Sequence, residues 1–311
     1  MTHPLHHDST TTSGSTQGPV GTALVLGGGG SAGNAWLIGI LAGLYDAGLD
    51  VADADLTVGT SAGSTAAAQL VESSPPDLFA ATVEAAPPPA GTAASGRAGT
   101  GPGITTNHLE RLSAIIAASS GAADYRRRVA AVLDADAASS GSASERWRAI
   151  VAARFPARSW PQRRRLLITA VDARTGEPVI FDRDGRVELV DAVAASCAGG
   201  FAYAVGDDRY IDGGYRSNAD NADLAAGCAR ALVLSPLGGR ALTPAEWGTH
   251  LVTQVDALRA AGSRVETVFP DPASRAAFGD NMMDASTRAP AARAGYEQGR
   301  AIAGRLAEFW R

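Results

Sequence analysis

Residues 56–70, LTVGTSAGSTAAAQL, decide how the rest of the chain is read. Leu56, Thr57 and Val58 have strand character, Gly59-Thr60-Ser61-Ala62-Gly63 forms a turn, and an Ala-rich segment of good helix propensity follows. A G-x-S-x-G turn between a strand and a helix folds too tightly for side chains two positions either side of the serine. Ser61 then stands at a helix N-terminus, where free N–H groups favour negative charge building up beside it.

Upstream, 22–26 reads as a short buried strand opening into Gly27-Gly28-Gly29-Gly30-Ser31-Ala32-Gly33. From 34 to 47 the apolar residues Trp36, Leu37, Ile40, Leu41 and Leu44 recur at helical spacing, with Gly48 as the stop. Two βα units in tandem imply a mainly parallel sheet with helices on its faces, an α/β fold. Downstream, 86–103 (APPPAGTAASGRAGTGPG) is too rich in Pro, Gly, Ala and Ser to pack; it is expected to be a mobile loop, either an inert linker or a lid. Helices are expected at 106–119, 122–134 and 144–155, with a polar loop at 135–143, so that about 86–160 forms an insertion or cap over the sheet. The strand pattern resumes at 165–171 and 178–181. A helix at 188–196, a strand at 209–211 ending in Asp212-Gly213-Gly214, a strand at 231–234, a helix at 243–261, a strand at 264–269 and a helix at 286–308 complete the reading.

The chain of 311 residues is 45% hydrophobic and 19% charged, with a formal net charge of −5, which excludes a general electrostatic pull toward nucleic acid. Arg126–Arg128 and Arg163–Arg165 read as solvated element ends. Cys197 and Cys228 suggest neither a disulfide framework nor a zinc site, which fits a reducing cytoplasm. Residues 1–20 are polar and lack a signal-peptide core, so a disordered tail is expected ahead of one domain over 21–311. No run approaches the roughly 18 apolar residues of a membrane span.

A serine hydroxyl becomes a nucleophile only when a base takes its proton and donors stabilise the oxyanion. The glycine loop is the natural oxyanion hole, because its N–H groups can turn toward a substrate oxygen unobstructed. Gly28-x-Gly30-x-x-Gly33 also satisfies a dinucleotide fingerprint, but that reading wants an acidic residue at the end of the second strand, where this chain has Gly59-Thr60-Ser61. For the base, His108 and His250 lie in helical surroundings with no motif. Asp212 is the better candidate, since the glycines after it leave its carboxylate unobstructed. An ordinary Asp, with a pKa of about 3.9, is poorly matched to a hydroxyl, so a Ser–Asp dyad must rely on desolvation and close positioning.

The glycine loop LVLGGGGSAG, the elbow GTSAGS and the segment YIDGGYRSNAD, in this order, resemble the patatin-like phospholipase family of lipid acyl hydrolases. LLITAVDARTGEPVIF and AVAASCAGGF are lesser echoes, and the resemblance spans about residues 22–235. It implies a three-layer α/β/α fold with Ser61 as nucleophile, Asp212 as base and Gly28, Gly29 and Gly30 lining the oxyanion hole. The family commonly has arginine where this chain has Ala32, a proline near Gly199-Gly200, and Asn-Pro where this chain has Asn218-Ala219. The expected function is a cytoplasmic serine acyl-ester hydrolase of phospholipase A type, acting on lipid or acyl-ester substrates without metal or cofactor and without nucleic acid. Peripheral membrane contact through the 86–103 loop or the capping helices is compatible with this, although the acidic balance opposes strong attraction to anionic lipid. Two alternatives stay open: a Ser61–Asp212–His250 triad of α/β-hydrolase type, and a non-catalytic lipid- or acyl-binding protein of the same fold.

Overall fold

A computed structural model of the chain describes residues 18–85, 106–135 and 140–311. Most of the expected disordered tail, all of the 86–103 loop, the middle of the 135–143 loop and the His108 side chain lie outside the described residues.

The elements run β1 (Thr22–Leu26), α1 (Gly30–Asp46), β2 (Leu56–Gly59), α2 (Ala62–Gln69), α3 (Pro75–Glu84), α4 (Thr106–Ala117), α5 (Ala122–Asp134), α6 (Gly141–Ala152), β3 (Arg165–Asp172), β4 (Pro178–Phe181), α7 (Leu189–Ser196), β5 (Tyr203–Val205), β6 (Asp208–Asp212), β7 (Arg230–Leu234), α8 (Leu251–Ala260), β8 (Arg264–Val268), α9 (Pro272–Phe278) and α10 (Arg288–Trp310). One eight-stranded sheet has the order β5-β6-β3-β2-β1-β7-β8, with β4 also paired to β3. The pairs among β3, β2, β1, β7 and β8 are parallel; β4, β5 and β6 pair antiparallel.

Period-2 alternation assigns the two faces. Leu24, Leu26, Leu166, Ile168, Leu232 and Leu234 pack into one core with α1, α2, α7 and α10. Their neighbours Ala23, Val25, Leu167, Ala231 and Val233 pack into a second core with α8. Strands buried on both faces need apolar residues at every position, which is why TALVL and RALVL are nearly continuous apolar runs. The result is a three-layer α/β/α architecture around a mixed, mainly parallel sheet. Of the helices following 105, α4 and α5 pack with Val171 and Ile211, whereas α6 joins the first core through Trp147 and Val151.

The helix expected at 243–261 is instead a short 3-10 turn, Ala245–Trp247, followed by α8. Gly248, at φ 67°, breaks the spiral, and His250 becomes the N-cap of α8. α1 begins earlier than its apolar periodicity suggests, inside the glycine loop at Gly30. Helices α3 and α9 and strand β5 were absent from the sequence reading. Both helices carry a legible start signal: Ser74 and Asp271 each precede a proline in the first turn and accept a backbone N–H, from Asp77 and Ser274.

Candidate active site

Sheet register brings the three motifs to one level. Leu26 pairs with Gly59 across β1 and β2, so Gly28 and Ser61 each stand two residues past that level. Gly59 pairs with Ile168 of β3, and two residues along β3 Ala170 pairs with Asp212. Loop, elbow and aspartate therefore meet at the C-terminal ends of β1 and β2, where open α/β sheets bind ligands.

Ser61 has φ 52° and ψ −114°, a conformation that costs a side chain-bearing residue about 1–3 kcal/mol. Its surroundings fix it there. The Ser61 amide donates to Ser196 Oγ at 2.9 Å. Its carbonyl accepts from Ser64 Oγ at 2.6 Å, Cys197 Sγ at 3.1 Å and the Thr65 amide at 3.2 Å. A Cβ on Gly63 would lie 1.9 Å from the Leu26 carbonyl oxygen, so the second glycine of the elbow is what lets α2 sit against β1.

Asp212 ends β6 and is buried. Its amide donates to the Ala198 carbonyl at 3.1 Å, and its Oδ1 accepts from the Gly214 amide at 2.7 Å. Burial pushes its pKa up to about 6, partly offset by hydrogen bonds from the Gly214 amide and the Ser61 side chain. The Ser61 side chain is thus a neighbour of the carboxylate. At Gly213 a Cβ would meet Thr169 Oγ1 at 2.0 Å, so only glycine lets the aspartate turn pack on β3.

A buried asparagine joins the two turns. Asn221 Nδ2 donates to Thr60 Oγ1 and to the Gly213 carbonyl, both at 3.0 Å. Thr60 precedes Ser61 and Gly213 follows Asp212, so one amide spans both. Asn221 sits at φ 54°, a region asparagine tolerates better than most residues. Asn218, the asparagine singled out by the sequence, instead shapes its own loop, its Oδ1 accepting from the amides of Asp220 at 2.7 Å and Asn221 at 2.9 Å.

Gly28, Gly29 and Gly30 of the loop differ in what their amides meet. A Cβ on Gly28 would lie 3.5 Å from Ser61 Cβ, so this residue faces the serine directly. Its amide is already committed to the Ala219 carbonyl at 2.8 Å. The amides of Gly29 and Gly30, and that of Ala62 after the serine, have no acceptor among the described residues. Behind the loop, Asp220 is almost fully buried, with Oδ1 lacking a partner among the described residues. A Cβ on Gly27 would collide with that oxygen at 2.1 Å. Burial raises the Asp220 pKa to about 7, partly offset by a hydrogen bond from the Ser235 side chain.

His250 engages the Thr243 carbonyl through Nε2 at 2.6 Å, and among the described residues no imidazole figures in the environment of Asp212. Among the described residues no group of three His, Cys, Asp or Glu side chains is placed to hold a metal ion, and no helix is long and apolar enough to cross a membrane. Ser196, Asn221 and Asp220 escaped the sequence reading. Ser196 and Asp220 lie within segments already singled out and Asn221 directly follows one, but their partners are set by tertiary contacts.

No curated protein matches the chain. A family model described as patatin-like phospholipase matches residues 24–225 of the 311, a span holding the glycine loop, the elbow, the Asp-Gly-Gly turn and Asn221. The chain belongs to the patatin-like phospholipase family, whose members are lipid acyl hydrolases.

Proposed function

We propose that this chain is a serine acyl-ester hydrolase of phospholipase A type working through a Ser61–Asp212 dyad. The observation that supports it most is the meeting of a strained serine hydroxyl with a buried carboxylate whose pKa is pushed up to about 6. A carboxylate so raised is still mostly ionised at neutral pH, yet is a stronger base than an exposed one. Ser61 Oγ attacks the acyl carbonyl carbon and its proton passes to Asp212. The carbonyl oxygen becomes an oxyanion facing the Gly29 and Gly30 amides, with Gly28 keeping that wall free of side chains. Each such donor is worth on the order of 3 kcal/mol in the transition state. Collapse breaks the ester C–O bond, and the leaving alkoxide takes the proton from Asp212. Water then attacks the acyl-enzyme, giving a proton to Asp212; the second collapse releases the fatty acid and returns that proton to Ser61.

The free cysteines Cys197 and Cys228 are in keeping with a reducing cytoplasm, from which the enzyme would meet its lipid peripherally at a membrane surface. Hydrolysis of a p-nitrophenyl acyl ester and labelling by a fluorophosphonate probe test the reading together. Ser61→Ala should abolish both; residual labelling at wild-type level would remove Ser61 from the role of nucleophile. Lipid binding without labelling of the wild-type protein would favour a non-catalytic binder instead.

A further inference from the structure

Ion pairs occupy many charged side chains of the molecule, but among the described residues Arg288 joins none of them. It is half-buried as the first residue of α10, where the positive end of that helix's own dipole opposes a cation. Its Nη1 donates to Asn34 Oδ1 at 3.0 Å and to the Ser31 carbonyl at 3.3 Å, neither of which carries a negative charge. The guanidinium thus lies at the start of α1, beside a second helix N-terminus. Burial pulls its pKa down, with no acidic group among the described residues to hold it up.

The run leading into α10 lies against the glycine loop. The Ala32 amide donates to the Met282 carbonyl at 2.9 Å, and a Cβ on Gly30 would lie 2.7 Å from Met283 Sδ. Ser31, whose carbonyl Arg288 holds, follows Gly30 directly. Asn34 is buried and carries the contact on to the elbow: its Nδ2 donates to the Ala62 carbonyl at 3.3 Å and to Gln69 Oε1 at 3.1 Å. One guanidinium therefore reaches the residue after Gly30 directly and the residue after Ser61 through a single side chain. The N-termini of α1 and α2 already direct positive potential at the space between loop and serine. A further cation beside them, without a carboxylate, costs the resting protein repulsion and desolvation. That cost is relieved when negative charge develops in the space, as it does on an oxyanion.

We propose that Arg288 is a positioning residue of the serine site, whose positive charge, held at the loop by Ser31 and Asn34, favours the oxyanion facing the Gly29 and Gly30 amides and so speeds acyl transfer without adding to ester binding. The ester is neutral and the tetrahedral intermediate is an anion, so a fixed cation nearby distinguishes the two. Its contacts are with the loop and, through Asn34, the elbow, so it acts through them. Arg288 lies outside the 24–225 span of the family match, and this part of the site is built by the C-terminal helix of this chain. The role rests on the hydrolase reading.

Hydrolysis of one p-nitrophenyl acyl ester is measured on wild type, Arg288→Gln and Arg288→Lys, with active sites counted by fluorophosphonate labelling to completion. Arg288→Gln keeps an N–H donor and removes the charge, so kcat should fall about tenfold or more with KM within about twofold of wild type. Arg288→Lys, which keeps the charge, should recover most of that loss. The acid limb expected of Asp212, near pH 6, should stay in place in both variants. A fall in Tm with kcat unchanged would make Arg288 a tie between α1 and α10 and overturn the proposal. Equal losses of kcat in the two variants, a rise in KM alone or a displaced acid limb would overturn it too. Wild type that neither hydrolyses the ester nor labels overturns the hydrolase reading and the role of Arg288 with it, whereas an active wild type matched by Arg288→Gln overturns the role alone. If Arg288→Gln folds poorly, Arg288→Met, which keeps the aliphatic stem with no polar head to bury, takes its place against Arg288→Lys.

Discussion

At Ser61 the backbone is held at φ 52° by donors and acceptors from Ser196, Ser64, Thr65 and Cys197, so position and strain are separable by mutation. Ser61→Gly and Ser61→Ala both lack the hydroxyl, but only alanine keeps a Cβ at positive φ. The glycine variant should be the more stable of the two by about 1 kcal/mol in denaturant unfolding; equal stabilities would mean the turn is unstrained. Asp212 sets the pH dependence of the proposed chemistry. Because its pKa is pushed up to about 6 and only the ionised form is a base, kcat/KM should rise tenfold per pH unit below about pH 6 and level off above it. Asp212→Asn should lower kcat by roughly 10³-fold or more and abolish that limb. A rate profile flat from pH 4 to 8 would assign the base elsewhere.

Between elements, two joints stand out. Asn221 links the turn after β2 to the turn after β6, and it is fully buried. Asn221→Ala leaves the Thr60 hydroxyl and the Gly213 carbonyl without that donor in a dry site, which should cost about 2–4 kcal/mol in stability. It should also lower kcat more than it raises KM, because it loosens the spacing of the proposed nucleophile and base. A KM effect alone would assign Asn221 to substrate binding. The second joint is α1 against α10, where backbones touch: a Cβ on Gly39 would lie 2.1 Å from the Ala292 carbonyl oxygen, and one on Gly43 2.2 Å from that of Tyr296. Gly39→Val should therefore separate the helices and cost at least about 3 kcal/mol, read as a fall in Tm.

Over the whole molecule, Asp212 and Asp220 are buried carboxyls with pKa values raised from 3.8 to about 6 and about 7. The folded protein thus holds these protons more tightly than the unfolded chain. Their stabilising contribution is full below pH 3.8 and is lost as pH rises through about 6 and then about 7. Asp220→Asn mimics the protonated form, so its stability relative to wild type should grow by about 2–4 kcal/mol between pH 4 and pH 8. A constant difference across that range would mean Asp220 titrates normally. The alternating apolar strands, the glycine loop, the elbow and Asp212-Gly213-Gly214 were all legible in the sequence, because each is a local pattern dictated by backbone sterics or two-sided burial. The helix read at 243–261 starts later in the structure because Gly248 adopts a left-handed φ that composition alone does not announce. Sequence by itself determined which residues could serve as nucleophile, base and oxyanion loop, since turns that tight admit few residue types. Only the tertiary structure decided that strand register brings them to one level, that the Gly28 amide is spent on Ala219, that Asn221 bridges the turns, and that an arginine from the last helix reaches the first, because each depends on contacts between segments far apart in the chain.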